Sequence, residues 1–189
     1  MKKAIIYGGA FNPPTVAHQA ILQACVEYAR AVSAEVWLLP SGERADKTIQ
    51  VSTEKRIKFL EACISEVDTN GVRHRIETIE LLSTEKTQTY GTFSEISRKY
   101  ADIEQIWVFG SDSITTMKQW YNGDWLYNNL PMLIVPRPGF EITSLPPHAQ
   151  FLQVDSAEMS STIVRELMHL QQDFSHLVPA AVHRILLAD

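Results

Sequence analysis

Cysteine is scarce in this sequence: 189 residues carry two, Cys25 and Cys63, far apart on stretches with helical periodicity. Two distant thiols make neither a disulfide framework nor a metal site. They read as small buried apolar residues in a reducing compartment. Excess positive charge is missing too. With 17 Lys and Arg against 22 Asp and Glu the net charge is −5; this is not the basic surface of a nucleic-acid binder, and no nucleic-acid partner is expected. No apolar stretch approaches the roughly 20 residues that cross a bilayer, so no membrane association is expected. Met1-Lys2-Lys3 leads straight into a short apolar run, without the apolar core of a secretory leader. The expected setting is the cytoplasm. Repeats, low-complexity tracts and linkers are also lacking, which predicts one domain over residues 1–189, long enough to bury a core.

What the sequence does have is 45% hydrophobic residues, set out as short apolar runs between helically spaced ones. The runs 4–7, 36–39, 106–109 and 132–135 read as buried strands, and 72–79 and 151–154 as two more. Helices are predicted over 18–33, 53–67, 89–101, 161–170 and 179–187, the second with Ile57, Leu60, Ile64 and Val67 inward. Strands alternating with helices predict an α/β fold: a Rossmann-like three-layer α/β/α arrangement on a mostly parallel central sheet. Ligands in such sheets bind beyond the carboxyl ends of the strands. The loops after Tyr7, Leu39, Phe109, Val135 and Val154 are therefore where chemistry is expected.

The first of these loops is Gly8-Gly9-Ala10-Phe11-Asn12-Pro13-Pro14-Thr15-Val16-Ala17-His18. Two glycines let backbone approach a ligand closely, and two prolines stiffen the turn. His18 falls at the first turn of the following helix, beside free N–H groups and the positive end of the helix dipole, which suits a phosphate. The spacing is neither that of a dinucleotide-binding G-x-G-x-x-G nor that of a P-loop. Near the other end, Met159-Ser160-Ser161-Thr162-Ile163-Val164-Arg165 opens a helix. Its hydroxyls can cap free N–H groups, and Arg165, one turn on, can pair with phosphate bidentately.

These two stretches resemble the signatures of the adenylyl- and cytidylyltransferase superfamily, GG(S/T)F(D/N)P…(H/T)xGH and ISSTxIR, with Thr15 for the usual first histidine and Ala17 for the signature glycine. The resemblance implies an ATP site built from Gly8, Gly9, Ala10, Phe11, His18, Gly110, Asp112, Ser160, Ser161, Thr162 and Arg165. In it the histidine meets nucleotide phosphates and the second motif holds the β- and γ-phosphates. Further stretches are similar to bacterial nicotinate-nucleotide adenylyltransferase. Leu39-Pro40 followed by Lys47 is similar to its second loop, where a basic residue meets phosphate. Thr89 and Thr92 resemble the segment beside the nicotinate. Gly110-Ser111-Asp112 then Trp120-Tyr121 resembles its GxD…W pattern: the aspartate accepts from ribose hydroxyls, and the indole stacks on the pyridine. Arg137-Pro138-Gly139 and Leu177–Val182 match its RPG and terminal LVPxxV. Asn12, Lys47, Thr89, Thr92, Trp120, Tyr121 and Arg137 are thereby expected around the mononucleotide.

The activity so implied is transfer of AMP from ATP to a pyridine mononucleotide, giving a dinucleotide and pyrophosphate. Such a transfer needs no protein nucleophile; it needs positioning and charge stabilisation at phosphorus. His18 and Arg165 are expected to stabilise the phosphates, with Thr15 and Ser161 donating hydrogen bonds. Magnesium is expected to arrive with ATP, held by phosphate oxygens and water, and no dedicated protein metal site is expected. A homo-oligomer is compatible with the sequence. The resemblance favours nicotinate mononucleotide as the acceptor, which gives deamido-NAD in NAD biosynthesis; nicotinamide mononucleotide and pantetheine phosphate stay open as alternatives. A cytidylyltransferase activity and a nucleotide sensor without turnover stay open as well.

Overall fold

The structure, a computed structural model, describes residues 1–42, 51–83, 87–154 and 160–188. Along them run β1 (Lys2–Gly9), α1 (Val16–Val32), β2 (Ala34–Pro40), α2 (Thr53–Ser65), β3 (His74–Ile76), α3 (Thr89–Lys99), β4 (Ile103–Gly110), α4 (Ser111–Thr116), α5 (Gly123–Asn129), β5 (Met132–Val135), β6 (Ala149–Phe151), α6 (Ser161–His169) and α7 (Ala180–Leu187). One sheet holds all six strands in the order β3-β2-β1-β4-β5-β6, and every pairing is parallel.

Parallel strands covered on both faces should be apolar in their buried stretches, and the four inner strands are so at 4–7, 36–39, 106–109 and 132–135. Alternate residues feed opposite cores. Ile5, Tyr7, Val36, Leu38, Val108 and Val135 face one, with Leu22, Cys25, Phe59 and Val164 from the covering helices. Ala4, Ile6, Trp37, Leu39, Trp107 and Ile134 face the other, with Ile96, Ile114 and Leu126. This is the three-layer α/β/α arrangement, its sheet wholly parallel. Among the described residues, no helix is long and apolar enough to cross a membrane.

The helix ends are held by specific donors and acceptors. Thr15 caps α1, Ser52 caps α2 and Ser160 caps α6, each through its side chain. α7 has no such cap of its own. Instead the Glu66 carboxylate, at the end of α2, accepts from the Ala180 and Ala181 N–H groups at 3.0 and 2.6 Å, a negative charge against the positive end of the helix.

Three differences from the sequence expectations matter. The buried stripe of α2 is Arg56, Phe59, Leu60 and Cys63; of the expected Ile57, Leu60, Ile64 and Val67, Leu60 and Val67 are buried, whereas Ile57 and Ile64 are only half-buried. The last strand ends at Phe151 rather than spanning 151–154, although Leu152 beyond it is buried. Two short helices, α4 and α5, occupy a stretch for which no element was predicted.

The sheet turns from one direction of winding to the other between β1 and β4, its neighbour. Crevices outside the carboxyl ends of strands at such a point are where ligands settle. The loop 10–15 and the Ser111-Asp112 turn leave the sheet there.

Candidate active site

Loop 10–15 is held by its carbonyls. Arg165 donates from Nη1 to Asn12 O at 2.6 Å, Ser161 donates from Oγ to Pro13 O at 2.8 Å, and Arg56 donates from Nε and Nη2 to Ala10 O at 3.1 and 2.9 Å. The start of α6 is thus seated directly on the turn that leads into α1, and the two distant stretches share one site. Arg165 Nη2 also donates to Thr162 Oγ1 at 3.0 Å, which orients its guanidinium. Thr162 itself is exposed, as is Ser160.

His18 is oriented by its neighbours. The Thr15 N–H donates to Nδ1 at 3.1 Å. A backbone N–H can only donate, so Nδ1 is the acceptor and the ring proton of the neutral imidazole belongs on Nε2. Thr15 Oγ1 stands 2.7 Å from the same Nδ1 and accepts from the His18 N–H. Thr15 is wholly buried; its hydroxyl was expected to reach phosphate, whereas here it is spent on the imidazole. Phe11 lies edge-on to both His18 and Tyr7, with ring centres 5.4 and 5.3 Å apart. Burial pushes the Tyr7 phenol well above its ordinary value, so it remains neutral beneath the loop.

Of the two glycines, Gly8 is exposed and a Cβ there would make only ordinary contacts. Gly9 is constrained by the protein itself: a Cβ would stand 3.0 Å from Phe11 Cζ. Phe11 holds φ at 45°, and its ring folds back over Gly9.

At the end of β4, Asp112 accepts from Arg137 Nη1 through Oδ2 at 2.9 Å. Its Oδ1 is buried and has no hydrogen-bond partner among the described residues. A Cβ at Gly110 would overlap that oxygen and stand 2.8 Å from Arg137 Nε. The Arg137 N–H donates to Ser111 Oγ at 2.9 Å, joining the ends of β4 and β5. An orphaned carboxylate oxygen in this position is chemically suited to a ligand hydroxyl.

A third group lies on α3 and the turn before α5. Trp120 is half-buried, with its ring 6.1 Å from that of Phe109 in an edge-on arrangement. Tyr121 is exposed and meets Tyr90 edge-on at 5.9 Å, and Tyr90 and Phe93 meet Trp125 at 5.3 and 5.0 Å. Thr89 opens α3. Thr92 is buried and donates to Glu80 Oε1 at 2.8 Å, so its hydroxyl faces into the protein. Lys47 lies outside the described residues.

Two charged residues at this end of the sheet were not singled out by sequence reasoning. Glu80 accepts from Thr92, from Thr87 Oγ1 at 3.1 Å and from the Gly42 N–H at 3.1 Å, tying the loop after β2 to the start of α3. Arg56 grips Ala10. On a helix rich in charge, neither periodicity nor motif separates a buried arginine from a solvated one.

A sequence model of the family described as Cytidylyltransferase-like matches residues 6–167. Among curated relatives, the nicotinate-nucleotide adenylyltransferase of Bacillus subtilis (strain 168) is 28% identical over 186 residues, covering 97% of this chain and 95% of that protein. Among solved structures, the Plasmodium falciparum nicotinic acid mononucleotide adenylyltransferase complexed with NaAD superimposes with a TM-score of 0.82 at 20% identity. It covers 100% of this chain and 96% of that one. The same enzyme complexed with APC gives 0.79 at 20% identity, with the same coverage.

Proposed function

The chain belongs to the cytidylyltransferase-like family, and from that premise we propose that it transfers AMP from ATP to nicotinate mononucleotide, giving deamido-NAD and pyrophosphate. The observation that carries this reading is the seating of α6 on loop 10–15 through Asn12 O and Pro13 O. It fastens the start of α6, with its guanidinium, to the loop that leads from the switch point of the sheet into the helix carrying His18. The full-length likeness to a nicotinate-nucleotide adenylyltransferase supports the choice of substrate.

In the reaction a 5′-phosphate oxygen of the mononucleotide attacks the α-phosphorus of ATP in line. A new P–O bond forms, the bond to the bridging oxygen breaks, and pyrophosphate leaves with that electron pair. No enzyme atom is adenylylated on the way, so the work is positioning and electrostatic. His18 offers its Nε2–H to the α-phosphate, held in that tautomer by Thr15. Arg165 stabilises charge gathering on the departing pyrophosphate, with Ser160, Ser161 and Thr162 at the same helix start. Asp112 Oδ1 accepts from an adenosine ribose hydroxyl, beside Gly110. Trp120 and Tyr121 border the pyridine ring together with Thr89. Asn12, Lys47, Thr92 and Arg137 complete the acceptor side, Thr92 through its hold on Glu80 and Arg137 through its hold on Asp112. Magnesium belongs to the substrate, arriving with ATP.

The test is pyrophosphate release by the purified protein with ATP, magnesium and each of several acceptors: nicotinate mononucleotide, nicotinamide mononucleotide and pantetheine phosphate. Release with the first, and deamido-NAD identified as product, is the expected result. Release with another acceptor alone, or nucleotide binding without any release, overturns it. In the active protein, His18→Ala should lower kcat by more than about tenfold, roughly 1.4 kcal/mol of barrier. A smaller loss removes the imidazole from the transition state.

A further inference from the structure

Arg56 carries a charge into a place where charges are costly. It is 4% exposed, and a guanidinium withdrawn from water needs compensation. Burial disfavours its charged form, and the carboxylate of Glu80 works the other way. Yet the Glu80 oxygens are occupied by Gly42, Thr87 and Thr92. Among the described residues, no carboxylate lies within ion-pair distance of Arg56. Its hydrogen bonds go to a single neutral atom, the Ala10 carbonyl oxygen, which takes both Nε and Nη2.

Packing alone does not call for this. A long apolar side chain would fill the same space without the desolvation. The gripped atom supplies the reason. The Ala10–Phe11 peptide is trans, so its C=O and N–H point in opposite directions. Pulling the carbonyl toward α2 therefore turns the Phe11 N–H away from α2. Phe11 sits in the left-handed region at φ 45°, costly for a bulky side chain, so the chain does not take this orientation unaided. The Phe11 N–H meets no acceptor among the described residues, although Phe11 is 1% exposed. Buried backbone donors are nearly always paired. Of the three peptides in this turn held by their carbonyls, those after Asn12 and Pro13 precede prolines and have no N–H to offer. The Phe11 N–H is the one donor that such a grip can aim.

We propose that Arg56 is a positioning residue for nucleotidyl transfer, its two-pronged hold on Ala10 O keeping the Phe11 N–H directed at phosphate oxygens in the cleft. This rests on the phosphate-transfer reading above. A donor oriented before charge develops stabilises that charge without having to reorganise. Two bonds from a cation onto the carbonyl also polarise the same peptide's N–H. Lysine, a point charge without the fork, cannot reproduce the hold.

The test uses the full chain as wild type, Arg56→Lys and Arg56→Gln, with two readouts. The first is the amide resonance of Phe11 during titration with inorganic tripolyphosphate. It should move downfield in wild type and lose most of that movement in both variants. The second is steady-state kinetics: kcat should fall by about tenfold or more, while KM for ATP and for the mononucleotide changes by less than about threefold, the pattern of an interaction made in the transition state. A merely structural role would lower the melting temperature but leave kcat of the folded protein and the amide response intact, which overturns the proposal. So does a Phe11 resonance indifferent to tripolyphosphate in wild type, a result that needs no variant to fold. If wild type makes no dinucleotide, the transfer reading fails. The amide response and its loss in Arg56→Lys still decide what Arg56 does.

Discussion

At the scale of the residue, the site is defined by atoms that lack room or partners. Gly110 has no room: any Cβ would overlap Asp112 Oδ1 and crowd Arg137 Nε. Gly110→Ala should therefore push the carboxylate off its position and raise KM for ATP by about tenfold, roughly 1.4 kcal/mol, with a smaller effect on kcat; steady-state kinetics over ATP concentration will show it. The two thiols behave differently from site residues. Burial pushes Cys63 up to about 12 and Cys25 likewise well above its usual value, whereas in the unfolded chain both ionise near 8.5. Between those limits the unfolded chain sheds protons that the folded chain keeps, so stability should fall as pH rises from about 9 toward 12. Urea midpoints at several alkaline pH values measure this. A Cys25→Ala, Cys63→Ala variant should show a shallower fall, and an identical slope would refute the assignment.

At the scale of the element, ends and edges separate what the sequence made legible from what it did not. The inner strands announced themselves because both of their faces are buried, and a run such as Met132–Val135 has no polar position to blur it. β3 and β6 pair on one side only and are mostly exposed, so apolar runs there mark chain that packs beyond the strand, as Leu152 does. α4 and α5 are short and polar outside, with too few turns to show a period. The site divides in the same way. Motifs with special chemistry, at 8–18, 110–112 and 160–165, were readable, whereas Arg56 and Glu80 act through partners 46 and 38 residues away that no local pattern records. Glu66 is another of this kind. Its carboxylate caps α7 from a distance, so Glu66→Gln, keeping the shape and losing the charge, should cost about 0.5–2 kcal/mol of stability. Urea unfolding will give the difference, and a loss below a few tenths would mean the cap is idle.

At the scale of the whole molecule, ligand and fold are linked. The loop after β1 is fastened to the start of α6, so a triphosphate held between them, as proposed, would bridge segments from opposite ends of the chain. Anything that binds only the folded state stabilises it, by about 2.7 kcal/mol at a hundredfold excess over Kd. For a protein of this size that corresponds to a rise in Tm of roughly 5–10 °C. Thermal melts with and without ATP should show it, and Arg165→Ala should lose most of the rise, because the proposed phosphate contact and the hold on Asn12 O are removed together.

The bridge between Arg165 and Asn12 also has a meaning in time. During synthesis the opening turn leaves the ribosome long before α6, and until residue 165 follows, the carbonyl of Asn12 lacks this clasp. If nucleotide binds where proposed, it can lend the growing polypeptide its full support only from that moment. Strands β1 to β5, all earlier in the chain, can pair and bury their apolar faces without that clasp.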